Sequence, residues 1–230
     1  MSLSNDYNAQ HTHEPRTPRE LFDGQLAEGA ICEIAYANWL RSQGHDSEII
    51  GGPRYVNVVC CADGVESLVT RPDIWCCTKA LGMFEGEVKL KETWAWDLFH
   101  GVFAIRMPFE KATGYVKYAE YTGREVWVLL VVESSKPSQA DIDRAQNYDT
   151  THPVPGTYPT GIYVMPVRKL MDPHHTAKGG WLWYDMGMFK RVEDFEEFEP
   201  FLTESRLAHR GNQSDDARPA TPASASQPDA

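Results

Sequence analysis

The chain has 230 residues, a net charge of −11 and a hydrophobic fraction of 42 %, enough for one full-sized domain with its own core. The acid excess argues against a broad basic surface for nucleic acid, because phosphate binding relies on Lys and Arg. No apolar run approaches the ~20 residues that span a bilayer, the opening MSLSNDYNAQHTHEPRTPRE contains no signal peptide, and an odd count of 5 cysteines points to free thiols in a reducing, cytoplasmic setting.

In chain order, an arm to about Pro18 carries little to bury. A helix is predicted from Leu26 to Gln43, with Gly44 as its C-terminal stop. Tyr55–Ala62 and Val69–Cys77 read as strands, separated by the turn signal Asp63-Gly64. Phe84–Glu92 reads as a third strand, Pro108–Tyr121 as a helix ended by Gly123, and the apolar, β-rich run Glu125–Glu133 as a buried central strand. A helix over Pro137–Tyr148, strands at Thr160–Val167 and Trp181–Met188 and an amphipathic helix at Val192–Leu202 complete the domain. From His209 the Ala/Pro/Ser/Asp-rich tail is expected to be disordered. The order α-β-β-β-α-β-α makes this an α/β domain with a mixed sheet, spanning residues 19–208.

Three acidic positions stand out. On a helical wheel Ile31, Ile34, Ala35 and Trp39 form an apolar stripe, and Glu33 lies on the other side with Gly29, Tyr36, Ala37 and Leu40. The middle of that helix is apolar nearly all round, so Glu33 is either a cleft-facing carboxylate that needs a partner or a metal, or a group that reaches solvent at the helix edge. Asp73 follows Pro72 at the start of a β-rich run. In FEGEVKLKE, alternation places Glu85, Glu87, Lys89 and Lys91 on one face and Gly86, Val88 and Leu90 on the other. Taken alone, that charged face reads as a solvated edge.

Taken together, Pro72-Asp73, Glu87-Val88-Lys89 and the helix pattern of Gly29, Glu33, Leu40 and Gly44 resemble the PD-(D/E)xK nuclease superfamily, the restriction-endonuclease-like fold of Holliday junction resolvases and phage nucleases. The resemblance covers about Glu28 to Glu133 and implies an αβββαβ core. It further implies a metal-dependent DNA nuclease using Mg2+, with Mn2+ as a substitute. Asp73, Glu87, the Val88 carbonyl and Glu33 would hold the ion, and Lys89 would orient the attacking water. Such an arrangement suits the chemistry, since carboxylates gather hard cations and a lysine offsets charge developing at phosphorus. The same resemblance implies a cytoplasmic protein of a bacterial or virus-infected cell, possible assembly into a homo-oligomer, and no membrane partner. One departure is clear: many exonucleases of the superfamily carry Gln-x3-Tyr on the second helix, where this chain has Lys111-x3-Tyr115.

Other features weigh less. Adjacent cysteines at Cys60-Cys61 and Cys76-Cys77 point to opposite strand faces and do not converge on one metal. The tryptophans Trp94, Trp96, Trp181 and Trp183 serve packing or base stacking. The alternatives to a nuclease are an inactive member of the same fold, acting as a nucleic-acid-binding or interaction module, and an acidic partner-binding protein whose motif match is accidental.

Overall fold

The computed structural model of the chain describes residues 18–50, 57–60, 67–78, 82–91, 95–98, 100–147, 157–173, 175–177 and 180–216. Its elements, in chain order, are α1 (Pro18–Ser42), β1 (Asp46–Ile49), β2 (Asn57–Cys60), β3 (Ser67–Thr70), β4 (Ile74–Thr78), β5 (Gly82–Lys91), β6 (Ala95–Asp97) and β7 (Val102–Pro108). Next come α2 (Phe109–Thr122), β8 (Val126–Val132), α3 (Gln139–Asn147), β9 (Gly161–Pro166), β10 (His175–Ala177), β11 (Trp181–Asp185), β12 (Lys190–Glu193) and α4 (Phe195–Asp216). Short 3-10 turns follow β9 and β11.

A six-stranded sheet in the order β1-β4-β5-β8-β9-β12 organises the molecule. Only β5 and β8 pair in parallel within it; every other neighbouring pair is antiparallel. The series α1, β1, β4, β5, α2, β8 is the expected αβββαβ core, so the α/β class with a mixed, helix-flanked sheet holds. A crossover between parallel strands needs a long connection, and here it runs through β6, β7 and α2. A four-stranded antiparallel sheet, β10-β11-β7-β6, stands beside α2.

Both faces of the central sheet are covered. On one, α1 and α4 bury Cys32, Ala35, Tyr36, Trp39, Phe198 and Leu202 against Ile74, Val88, Leu129 and Ile162. Arg206 of α4 ties the layer together, pairing with Glu28 of α1 and, at 2.8 Å, with Glu133 just beyond β8. On the other face, α2 and the smaller sheet meet Val126, Val128, Leu130 and Val132. This explains the apolar run of β8: a strand buried on both faces needs no polar side. Gly44 ends α1 with φ 78°, and Gly123 ends α2 with φ 65°, its N–H donating to the Ala119 carbonyl. Both use the left-handed geometry that glycine adopts freely.

The strand boundaries differ from expectation in instructive ways. The run Val69–Cys77 is not one strand but the end of β3 and most of β4, divided at Arg71-Pro72-Asp73. Proline has no N–H for a ladder bond and is tolerated at strand starts. The expected strand Tyr55–Ala62 survives, in its described part, as β2, which pairs only with β3 in a hairpin outside the main sheet. Its place in the core is taken by β1, a four-residue strand with the sequence DSEI. On α1 the buried arc is shifted: Ile34 is 44 % exposed, whereas Cys32, Tyr36 and Leu40 are buried. The final helix begins at Phe195 and continues past His209 to Asp216; residues 217–230 and 1–17 lie outside the described set.

Gly86 shows how closely β5 packs. A Cβ there would lie 2.2 Å from Leu129 Cδ1 and 3.3 Å from Ile74 Cγ1. Gly86→Ala is therefore expected to destabilise the fold by about 1–3 kcal/mol through overpacking, measured by denaturant unfolding. Leu129→Ala in the same chain should recover part of that loss, giving a non-additive cycle.

Candidate active site

The alternation of FEGEVKLKE is realised, but its charged face is not a solvated edge. Register with β8 aligns Glu85, Glu87, Lys89 and Lys91 with Val126, Val128, Leu130 and Val132, so these charges point toward α2. Glu85 is 1 % and Glu87 2 % exposed, and Lys89 and Lys91 are half-buried. Two adjacent buried carboxylates require compensation. Arg124, just beyond α2, pairs with Glu85 Oε1. The Glu85 carboxylate also lies beside the Tyr118 hydroxyl, whose pKa burial and that carboxylate raise to about 12. Lys89 Nζ and the Tyr115 hydroxyl both donate to Glu87 Oε1.

Asp73 enters from the neighbouring strand. The Pro72 interruption places it just before β4, where its backbone is fixed on two sides. Its N–H donates to the Gly86 carbonyl at 3.0 Å, and its carbonyl accepts from Ile50 N–H at 2.9 Å. The side chain is fixed as well, with Oδ2 accepting from Val88 N–H at 2.9 Å. Three β5 residues thus surround one aspartate: Gly86 and Val88 through their backbones, Glu87 through its charge. Lys89 Nζ also lies 3.4 Å from the Val88 carbonyl.

Electrostatics record the crowding. Burial first, then the Glu87 charge, pushes the Asp73 carboxyl well above the usual carboxylate range, with Glu33 adding to the shift and Lys89 opposing it. Glu33, half-buried on α1, is raised to about 7 by burial and by Glu87, again opposed by Lys89. Burial disfavours the Lys89 ammonium, but Glu87, Asp73 and Glu33 outweigh it and raise its pKa. Glu33, Asp73, Glu87 and Lys89, predicted from separate stretches of sequence, therefore share one electrostatic neighbourhood at the junction of α1, β4 and β5.

Does this neighbourhood fit a metal? Glu87 Oε1 takes both nearby donors, and Oε2 is buried with no hydrogen-bond partner. A buried acceptor without a donor is costly, and a cation would satisfy it. The available donors are hard oxygens, the set preferred by Mg2+ and Mn2+ over softer ions. Among the described residues no three acidic, histidine or cysteine side chains are drawn together as a preformed cage. The fit therefore rests on Asp73, Glu87 and the Val88 carbonyl, with Glu33 on the approach from α1.

No family model and no curated protein matches the chain. Among solved structures it is similar to the Archaeoglobus fulgidus Hjc, a Holliday junction resolvase from an archaeal hyperthermophile. The identity is 16 %, covering 70 % of this chain and 90 % of that one, with a TM-score of 0.38.

Sequence reasoning overlooked Tyr115 and Arg124. Tyr115 occupies the very position compared with Gln-x3-Tyr, and it reaches Glu87 across the interface between α2 and β5. Arg124 follows the helix-ending Gly123 and carries no signal of its own. The cysteine expectation agrees for the described pair: Cys76 is buried while Cys77, on the opposite face, is partly exposed, and both are free. Trp96 is core, packed on Phe103 at 5.1 Å between ring centroids. No described helix is long and apolar enough to cross a membrane.

The raised carboxyls make the metal-free fold pH-dependent. A group whose folded pKa exceeds its unfolded value contributes stability that is fully present below the unfolded pKa and is lost as pH rises through the folded one. For Glu33 that window runs from its ordinary 4.5 to about 7, and Asp73 extends it upward. In EDTA, the melting temperature of the wild type should fall relative to that of Glu33→Gln/Asp73→Asn as pH rises through this window. Parallel curves would contradict the shared neighbourhood.

Proposed function

We propose that the chain is a metal-dependent nuclease of the PD-(D/E)xK type, hydrolysing DNA phosphodiesters by in-line attack of water. One observation carries the proposal: Asp73, held by the Val88 N–H, shares an electrostatic neighbourhood with Glu87, whose buried Oε2 has no hydrogen-bond partner and whose Oε1 pairs with Lys89. A bound Mg2+, with Mn2+ as a substitute, would neutralise phosphate charge and lower the pKa of the attacking water.

The residues divide the remaining work. Asp73 and Glu87 present their oxygens from a backbone that β1 and β5 hold still, and preorganisation of that kind avoids rearrangement during reaction. Lys89 keeps its positive charge at neutral pH, so it aligns the water and offsets charge developing at phosphorus. Tyr115 fixes the rotamer of Glu87 from α2, a supporting role of the kind that tunes primary ligands. Glu33, titrating near neutrality, can accept a proton from the incoming water or ligate the metal through it. A protein of this kind acts in the cytoplasm on DNA, and a homo-oligomer would bring two such sites to one substrate.

The net charge of −11 favours a second reading, an inactive binding module of the same fold. The two separate in one panel. Linear, circular, single-stranded and branched DNA are incubated with Mg2+ or Mn2+ and the purified chain. At least one substrate should be cut. Asp73→Ala and Lys89→Ala should abolish cutting, and Tyr115→Phe should slow it by about 10- to 100-fold. Mn2+ should also raise the melting temperature of the wild type and not of Glu87→Ala. Cleavage that persists in Asp73→Ala at the wild-type rate overturns the nuclease proposal.

A further inference from the structure

Helix α1 is held unevenly along its length. From Ile31 onward it enters the core, where Ile31, Cys32, Ala35, Tyr36 and Trp39 are buried. Before Ile31 no described side chain is buried, and Leu26 is 38 % exposed. Two glycines weaken that half further. A Cβ at Gly24 or Gly29 would meet nothing within 4 Å. Close packing therefore requires neither glycine, and each costs the helix conformational entropy. Glu33 stands just past the change. Its N–H closes the turn that begins at the Gly29 carbonyl, by the i to i−4 pairing of a helix. The carboxylate that α1 brings to the candidate site thus rests on a turn that packing alone does not secure.

A cluster of charges secures it instead. Arg206 donates to Glu28 Oε2 through Nε at 3.0 Å and through Nη2 at 2.8 Å. Its remaining nitrogen, Nη1, lies 2.8 Å from Glu133 Oε1. A planar guanidinium can engage two carboxylates at once in a fixed geometry, which a lysine ammonium cannot. Both supports of the cluster are anchored. Phe198, Leu202 and Ser205, in the turns of α4 before Arg206, are buried. Glu133 N–H donates to the Lys91 carbonyl at 3.0 Å, extending the pairing of β5 with β8 two residues past Lys89. The loose half of α1 is thereby tied to the end of the strand that carries Glu87 and Lys89. Burial raises the Cys32 thiol, and the charges of Glu133, Glu33, Arg206 and Lys89 all act on it, so the cluster and the candidate site lie within reach of one side chain.

We propose that Arg206 is a positioning residue: by clamping Glu28 to Glu133, it keeps the N-terminal turns of α1 helical and holds Glu33 at the candidate site. This rests on the nuclease reading for the duty of Glu33 and not for the clamp itself. α4 lies outside the αβββαβ core, and it contributes to the site without touching substrate or metal. The arrangement also accounts for the two open glycines. A helix half that lacks both packing and propensity depends on its one described tie to the rest of the fold, so the geometry of Glu33 is set from α4.

Amide hydrogen exchange of the full chain in EDTA tests the clamp. Glu28→Gln leaves Arg206 paired with Glu133. It should speed exchange over residues 24–33 on the order of tenfold and leave residues 35–42 unchanged. Arg206→Gln should do the same, and Gly29→Ala added to Glu28→Gln should restore part of the protection. Cleavage of whichever DNA the wild type cuts tests the duty of Glu33. With Mg2+, Glu28→Gln should lower kcat about tenfold. In a Glu33→Gln background it should cause no further loss, which a merely structural role would not predict. Unaltered exchange in both Glu28→Gln and Arg206→Gln overturns the proposal, and so does an equal loss of kcat with and without Glu33. Should Arg206→Gln fail to fold, Glu28→Gln decides, since Glu28 is partly exposed. Exchange that responds in a chain that cuts no DNA would remove the nuclease reading, and the duty of Glu33 with it, and leave the clamp. Asp73-dependent cleavage with unaltered exchange would remove the clamp alone.

Discussion

The structure depends on a strand that buries its charged face. The parallel pairing of β5 with β8 fixes register, and register sends Glu85, Glu87, Lys89 and Lys91 beneath α2. A slip of one residue would put Gly86, Val88 and Leu90 there instead and drive the acids into the apolar layer beneath α1 and α4. Moving a carboxylate out of water costs several kcal/mol per ion unless partners replace the lost solvation. The surrounding elements are arranged around that cost. Arg124 answers Glu85, Lys89 and Tyr115 answer Glu87, and one oxygen on each carboxylate still has no hydrogen-bond partner. Replacing the four charges with apolar residues would give a quieter core. Retaining them means the interior keeps a polar strip beneath α2.

Asp73 extends that logic to the next strand. An aspartate at a strand end is ordinarily free to point into water. Here Pro72 interrupts the ladder, and Asp73 fills the gap through its N–H, its carbonyl and its side chain at once. The aspartate therefore cannot turn away from Glu87, and the repulsion between them persists in the absence of a cation. Burial first, and then the Glu87 charge, keeps the Asp73 carboxyl raised. A rigid backbone holds two acids closer than they would choose.

Much of this was legible before any coordinates. Alternation in FEGEVKLKE reports the two faces of β5 because a strand has a period of two, and Gly44 and Gly123 end helices where glycine should. What failed was the inference from charge to exposure. Glu85 looks solvated because acids usually are, and only the distant Arg124 and Tyr118 make its burial tolerable. Strand β1 escaped notice because DSEI is too short and too polar to show a period, and its neighbours define it. Tyr115 was visible as a residue and invisible as a contact, since its reach to Glu87 depends on how α2 crosses the sheet. The buried arc of α1 rotated away from Ile34 because α4 covers Tyr36 and Trp39 with Phe198, and no local pattern announces a helix from the far end of the chain.

The acidic balance of the chain bears differently on encounter and on capture. Surface charges act over about 8 Å at physiological salt, so most of the excess is screened at the candidate site beside Lys89. Lys89, half-buried beside Glu87, is screened less than an exposed cation would be. The distant acids instead weaken long-range steering, which lowers the rate of approach rather than the strength of the final contacts. A nucleic acid would thus be held by a few convergent groups and not by a general basic surface.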